Sequence, residues 1–188
     1  MPAGRWLGAL LGAMLAGPPH VPPGVPPGIP PGVPPADGVT CHLQVAPSVV
    51  AGAPVWLTIT LRNTGPAALR ILTWATPFEG AWLAPMVDLT RDGVPLPYGG
   101  ATAKRGDPAR EDYLLVRGGR ARRARLDLGE VFDLRRPGRY RLVPRLTLAD
   151  VATAGEPWPR ERDAFRPRAL PCPTLTFEVT PAPPPPSR

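Results

Sequence analysis

Few side chains in this chain are equipped for covalent or metal chemistry. The histidines are His20, inside a proline-rich tract, and His42, in an alternating apolar segment, and the serines are Ser48 and Ser187. A zinc hydrolase of the helical type needs two histidines four residues apart with a glutamate base between them, and no such pattern occurs. Cys41 next to His42 has the residue types of a metal pair, but adjacent strand residues point to opposite faces. A Ser-His-acid relay would have to use Ser48 and His42. No glycine motif stands between a strand pattern and a helix pattern, so there is no phosphate cradle. The reading at this level is a non-enzymatic chain, with no catalytic or metal residue and no cofactor assigned.

Three groups of residues retain chemical interest. Cys41 and Cys172 are too few for a zinc cluster without histidine partners, yet they suit one disulfide in an exported protein. They stand at the starts of the first and last candidate strands, and the terminal strands of a sandwich often run side by side, so the bridge would staple the ends of the domain. The run Arg117 to Arg125, RGGRARRAR, offers Arg117, Arg120, Arg122, Arg123 and Arg125 as a patch for phosphate or an acidic polysaccharide. No aromatic interrupts the run to stack bases, which disfavours nucleic acid, and a solvated strand face is the plainer alternative. The stretch Trp74 to Gly80 carries Trp74, Phe78 and Trp82 around Glu79. It reads either as packing beneath the next hairpin or as a partner surface built on aromatic anchors beside a fixed carboxylate. A further loop, Lys104 to Tyr113, mixes both charge signs and is either an ion-pair network or a calcium loop, though it lacks alternating oxygen-ligand spacing.

The elements that must position these residues are strands. Val55, Leu57, Ile59 and Leu61 share one face and Trp56, Thr58, Thr60 and Arg62 the other, the period-two signature of a half-buried strand. Asn63, Gly65 and Pro66 supply turn chemistry, and Leu69 to Trp74 reads as the returning strand of a hairpin. Cys41, Leu43 and Val45 give a first strand ended by Pro47. Met86 to Thr90 and Val94 to Tyr98 flank Asp92-Gly93, a strong hairpin signal. Tyr113 to Val116, Arg123 to Phe132 and Thr174 to Thr180 complete the set, and Ala149 to Pro171 reads as a long loop. Pro137-Gly138 followed by Tyr140 resembles a tyrosine corner, with a surface strand tyrosine as the alternative. Seven or eight short strands without an amphipathic helix predict an all-β, immunoglobulin-like antiparallel β-sandwich.

With 31 Pro and 20 Gly among 188 residues, the chain accommodates one medium domain and much irregular structure. The net charge of +7 comes almost wholly from arginine, since Lys104 is the single lysine. Residues 1–17 read as a signal peptide, with an uncleaved apolar terminus as the alternative; the run Trp6 to Ala16 is too short for a stable membrane span. Residues 18–38 form a VPPG-repeat spacer of extended polyproline type, or a ligand for a proline-recognition domain. The sandwich is placed at 39–181 and a proline-rich tail at 182–188. The expected location is secreted or periplasmic.

The segments LRNTGPAALRILTWATPFEG, VDLTRDGVPLPYGG, AKRGDPAREDYLLV and LDLGEVFDLRRPGRYRL, in that order, resemble the non-catalytic N-terminal domain of bacterial deuterolysin-like peptidases, the M35 zinc metallopeptidases or aspzincins. The likeness covers about Cys41 to Leu148, and Trp74 to Gly80 is its most specific element. It implies an accessory or pro-domain role beside a zinc peptidase whose catalytic ligands have no counterpart here. The expected partner is therefore an exported protein such as a metallopeptidase. The alternatives are a cell-envelope polyanion binder and a peptidase lacking its catalytic domain. The arginine-rich 117–125 stretch departs from the polar loop expected of the family.

Overall fold

A computed structural model describes residues 36–184. The expected signal peptide, most of the VPPG spacer and the end of the tail lie outside the described residues. Within them the chain forms strands β1 (Val39–Gln44), β2 (Ser48–Val50), β3 (Trp56–Asn63), β4 (Leu69–Leu72), β5 (Val87–Arg91), β6 (Val94–Pro95) and β7 (Tyr113–Val116). They are followed by β8 (Ala121–Asp127), β9 (Gly138–Pro144), β10 (Thr147–Leu148), β11 (Val151–Ala152), β12 (Arg168–Ala169) and β13 (Leu175–Thr180). Short 3₁₀ turns are the only helical pieces among the described residues, and none is long and apolar enough to cross a membrane.

Alternation along the sequence becomes two facing sheets. One has the order β1-β3-β8 and presents Leu43, Leu57, Ile59, Leu61 and Leu126 inward. The other has the order β2-β13-β9-β5-β6 and presents Val87, Leu89, Tyr140, Leu142, Phe177 and Val179. These side chains belong to one apolar core, as a sandwich of two half-buried sheets requires. The chain changes sheets early: β1 pairs antiparallel with β3, whereas its continuation β2 pairs in parallel with β13.

Local signals decide several connections. Thr90 pairs with Pro95 and Arg91 with Val94, leaving Asp92-Gly93 as a two-residue turn with φ of 49° and 83°. Positive φ at both positions is what a tight hairpin twist demands. Tyr140 is fully buried, stacks on Phe177 at 5.2 Å between centroids, and donates its phenol to the Arg136 carbonyl at 2.7 Å. The corner bond is therefore present.

The turn after β3 does something other than expected. β3 and β4 do not pair with each other; β3 pairs with β8, and β4 pairs with β7. The same two chain segments thus pair twice, with a break between: Arg62 faces Ala121 before it and Leu69 faces Val116 after it. Asn63, 1% exposed, pins the break. Its Nδ2 donates to the carbonyls of Ala67 (2.7 Å) and Val116 (3.0 Å), its Oδ1 accepts from the Gly65 N–H, and its own N–H donates to Arg120. Gly118 sits so close to the opposite segment that a Cβ there would come within 2.0 Å of the Pro66 carbonyl oxygen. The turn residues Asn63, Gly65 and Pro66 thus serve a sheet-to-sheet break, because satisfying buried backbone groups matters more here than returning the chain.

Three other boundaries differ from the sequence reading. β8 stops at Asp127, whose carboxylate accepts from Gly129 N–H and caps a 3₁₀ turn, so the apolar run to Phe132 leaves the sheet. Only Val94 and Pro95 of the second hairpin arm pair with β5 as a strand. The supposed loop 149–171 contains β11, which extends β4, and β12, which pairs with β10. Ordering also begins before Val39: Ala36 is buried and its N–H donates to Ala169.

Cys41 and Cys172 form a disulfide with a Cα separation of 5.0 Å. Cys41 lies on β1, but Cys172 lies in the connection between β12 and β13, and β1 and β13 belong to different sheets. The bridge therefore ties β1 to the segment that leads into β13. It spans 131 residues, for which chain-entropy reasoning gives about 5 kcal/mol of stabilisation. Replacing both cysteines with serine should lower the urea-unfolding free energy by roughly that amount, and unchanged stability would show that the clamp constrains nothing.

Candidate functional site

The aromatic loop after β4 is built around a single 3₁₀ turn, Pro77–Glu79. Thr76 Oγ1 accepts from the Phe78 N–H, and Gly80, at φ 82°, closes the far end. Glu79 folds back to accept from the Ala75 N–H and forms an ion pair with Arg105. Trp74 and Trp82 are buried, and Phe78 and Glu79 are half-buried. Trp82 donates its indole N–H to the Asp127 carbonyl at 2.8 Å, which ties the loop to β8. Trp74 packs edge-on against Phe165 and lies under the Arg105 guanidinium, 5.2 Å from the ring centre. Neither tryptophan is an exposed anchor: Trp82 belongs to the main core, and Trp74 is buried against Phe165 and Arg105 at the wall of a groove.

Beside Trp74 runs an open groove of about 680 Å³. Leu83, Ala103 and Phe165 give it apolar wall, while Arg105, Asp107 and Arg162 bring both charge signs to its rim. Asp107 accepts from the Arg162 N–H, and Arg162 Nη1 donates to the Arg105 carbonyl, so the rim is cross-braced. In the mixed-charge loop, Asp112 is spent on the Ala109 N–H. The described residues contain no group of three His, Cys, Asp or Glu side chains suited to a metal, and the calcium alternative has no ligand set there.

The arginine run does not form one patch. Arg117 and Arg120 are exposed around the turn that Gly118 and Gly119 make, and Arg122 is half-buried with Nη1 directed to the Ala121 carbonyl. Arg123 and Arg125 project from the opposite face of β8, where the register sets them across from Thr60 and Thr58 of β3. Strand alternation alone separates Arg122 from its neighbours. On that outer face Arg125 lies 4.2 Å from the ring centre of Trp56, so an aromatic does accompany the arginines, brought in from another strand.

A second charged constellation had no clear sequence signal. Asp150, fully buried, accepts from Arg160 Nη1 at 2.7 Å, from the Tyr113 phenol at 2.8 Å and from the Arg166 N–H at 2.9 Å. Burial, aided by this bond to the Asp150 carboxylate, pushes the Tyr113 phenol up to about 12. Trp158 covers the cluster, with Arg70 4.3 Å and Arg110 5.0 Å from its ring centre. These residues come from β4, from the 3₁₀ turn Arg110–Asp112 and β7 that follows it, and from the 149–171 segment, and together they hold that segment, including Arg162 and Phe165 of the groove, against the sandwich. In sequence Asp150 and Arg160 sit in a polar, proline-interrupted stretch, where nothing marks them as interior.

Removing one member of a buried ion pair leaves the other uncompensated. Asp150→Ala should cost about 3–5 kcal/mol, while the double variant Asp150→Leu, Arg160→Met should lose markedly less. Urea unfolding of both variants checks this. Equal losses would show that the pair is not what anchors the segment.

No protein-family model matches the chain. Over 102 residues it is 34% identical to an extracellular protease of Aeromonas hydrophila, a stretch amounting to 54% of this chain and 28% of the protease. The similarity is thus to a minor part of a protein named for extracellular proteolysis.

Proposed function

We propose that this chain is an exported, non-catalytic β-sandwich that acts beside an extracellular peptidase by binding it, as an accessory domain related to that of deuterolysin-like M35 enzymes. The observation that carries the reading is the 34% identity over 102 residues to the Aeromonas hydrophila extracellular protease. The Cys41–Cys172 bridge supports export, since such bonds persist in oxidising compartments. The strand order, with the first strand split between sheets and a bonded tyrosine corner, supports an immunoglobulin-like assignment.

The groove beside Trp74 is the contact surface in this reading. Its mix of apolar wall and paired charge resembles a protein interface more than a small-molecule pocket, and the cross-braced rim keeps the cost of ordering low on binding. Arg162 is exposed at its edge, so changing it alters the surface without opening the core.

The test is titration of the pure chain against the purified Aeromonas hydrophila protease, read by surface-immobilised binding and by peptide hydrolysis. A saturable complex that alters hydrolysis is expected, weakened at least about tenfold by Arg162→Glu, and by clearly less in Arg162→Gln, which loses the same bond to the Arg105 carbonyl without reversing the charge. Absence of any complex, or binding indifferent to Arg162→Glu, would count against the assignment. Chelator-sensitive proteolysis by the pure chain would overturn its non-catalytic half.

A further inference from the structure

The outer face of the β1-β3-β8 sheet carries cationic and neutral polar side chains beside one tryptophan. Register places His42, Thr60 and Arg123 in one cross-strand row and Gln44, Thr58 and Arg125 in the next, with Arg62 and Trp56 at either end of β3. Trp56 keeps 40% of its surface exposed, a large value for a tryptophan on a sheet. Arg125 lies against it at 4.2 Å. Below these residues is an open depression of about 450 Å³ lined by Gln44, Val49, Trp56, Thr58, Arg123 and Arg125.

The charge balance of this face is one-sided. Some arginines elsewhere pair with carboxylates, Arg145 with Asp88, Arg135 with Asp133, Arg160 with Asp150 and Arg166 with Glu156, whereas others, such as Arg70, Arg139 and Arg141, form no salt bridge among the described residues. Among the described residues, Arg62, Arg123 and Arg125 have no salt-bridge partner. The one carboxylate in these rows is Asp127, which is engaged by the N–H groups of Val55 and Gly129. Like charges on neighbouring positions of one sheet face repel, and the internal contact that offsets this here is the packing of Arg125 over Trp56.

We infer that this face binds an acidic polysaccharide bearing carboxylate groups. Packing over Trp56 positions the Arg125 guanidinium, whose N–H groups are then available to a bidentate carboxylate. Arg123 presents a second cation two residues along the same strand, about 7 Å away, matching a polymer with repeated charges. Thr58, Thr60 and Gln44 lie between and beside the cations and offer neutral donors and acceptors to sugar hydroxyls. The remaining open indole surface suits the apolar C–H face of a pyranose ring. Single-stranded nucleic acid calls for a succession of stacking aromatics, and here one tryptophan stands alone among threonines. The disulfide also fits an oxidising compartment, where such polymers would be met outside the cell. This site lies on a different face from the groove beside Trp74 and does not depend on the peptidase reading.

Calorimetric titration with oligogalacturonate at low salt tests the inference, with dextran and oligothymidylate as comparison polymers. Saturable binding to oligogalacturonate is expected, falling with added salt and exceeding that of both comparison polymers. Arg125→Gln and the double variant Arg123→Gln, Arg125→Gln should each weaken it at least about tenfold. Both changes are on exposed side chains, so they test the site even if Trp56→Ala perturbs folding. Trp56→Phe should retain most of the affinity and Trp56→Ala should not. No saturable binding, affinity unchanged in the arginine variants, or tighter binding to oligothymidylate would each overturn the proposal.

Discussion

The buried amide of Asn63 is the constraint on which the arrangement turns. Two chain segments, β3-β4 and β7-β8, pair with each other on both sides of a shared interruption, and at that interruption backbone groups lose their ladder partners. Asn63 supplies two donors and one acceptor to those groups while its own N–H reaches Arg120 across the break. An unpaired buried carbonyl costs about 1–3 kcal/mol, so an apolar residue of similar size could fill the space but not replace the bonds. The glycines of the arginine run belong to the same feature, because Gly118 lies where any side chain would strike Pro66.

From this break the two halves of the molecule acquire different tasks. On one side β3 and β8 continue as a flat ladder whose inward residues join the main core and whose outward residues carry Trp56, Arg123 and Arg125. On the other side β4 and β7 take up β11 and lead into the aromatic loop and the groove beside Trp74. The groove is braced by buried electrostatics: Asp150 draws Arg160, Tyr113 and the Arg166 backbone to one point. Such a cluster contributes less net stability than its contacts imply, but it fixes where a long segment must lie. The disulfide adds a third constraint by tying β1 to the connection that leads into β13.

Much of the strand inventory could be read from the sequence, since alternation reports which face a residue takes. Asp92-Gly93 and Tyr140 carry local chemistry with one geometric solution each, and both were legible for that reason. Pairing partners were not. Asn63-Gly65-Pro66 has the composition of a hairpin turn, but whether β4 returns beside β3 depends on β7 and β8, some fifty residues away. The segment 149–171 is obscure in sequence because its order comes from two-residue strand pairings, a cluster of ion pairs and Trp158, not from any periodic pattern. Trp56 and Arg125 illustrate the same limit, being visible separately as strand residues but meeting only through the β3-β8 register. The sequence places Trp74 and Trp82 in one stretch but does not show that both are buried, Trp82 in the main core and Trp74 at the wall of the groove.

The most direct test of this account is equilibrium urea unfolding of Asn63→Ala followed by tryptophan fluorescence. If the shared break is what joins the halves, the variant loses about 3 kcal/mol, and β4-β7 amides exchange hydrogen faster than those of β9 and β13. Stability within about 0.5 kcal/mol of the parent chain, with uniform exchange protection, would contradict the central role given to Asn63.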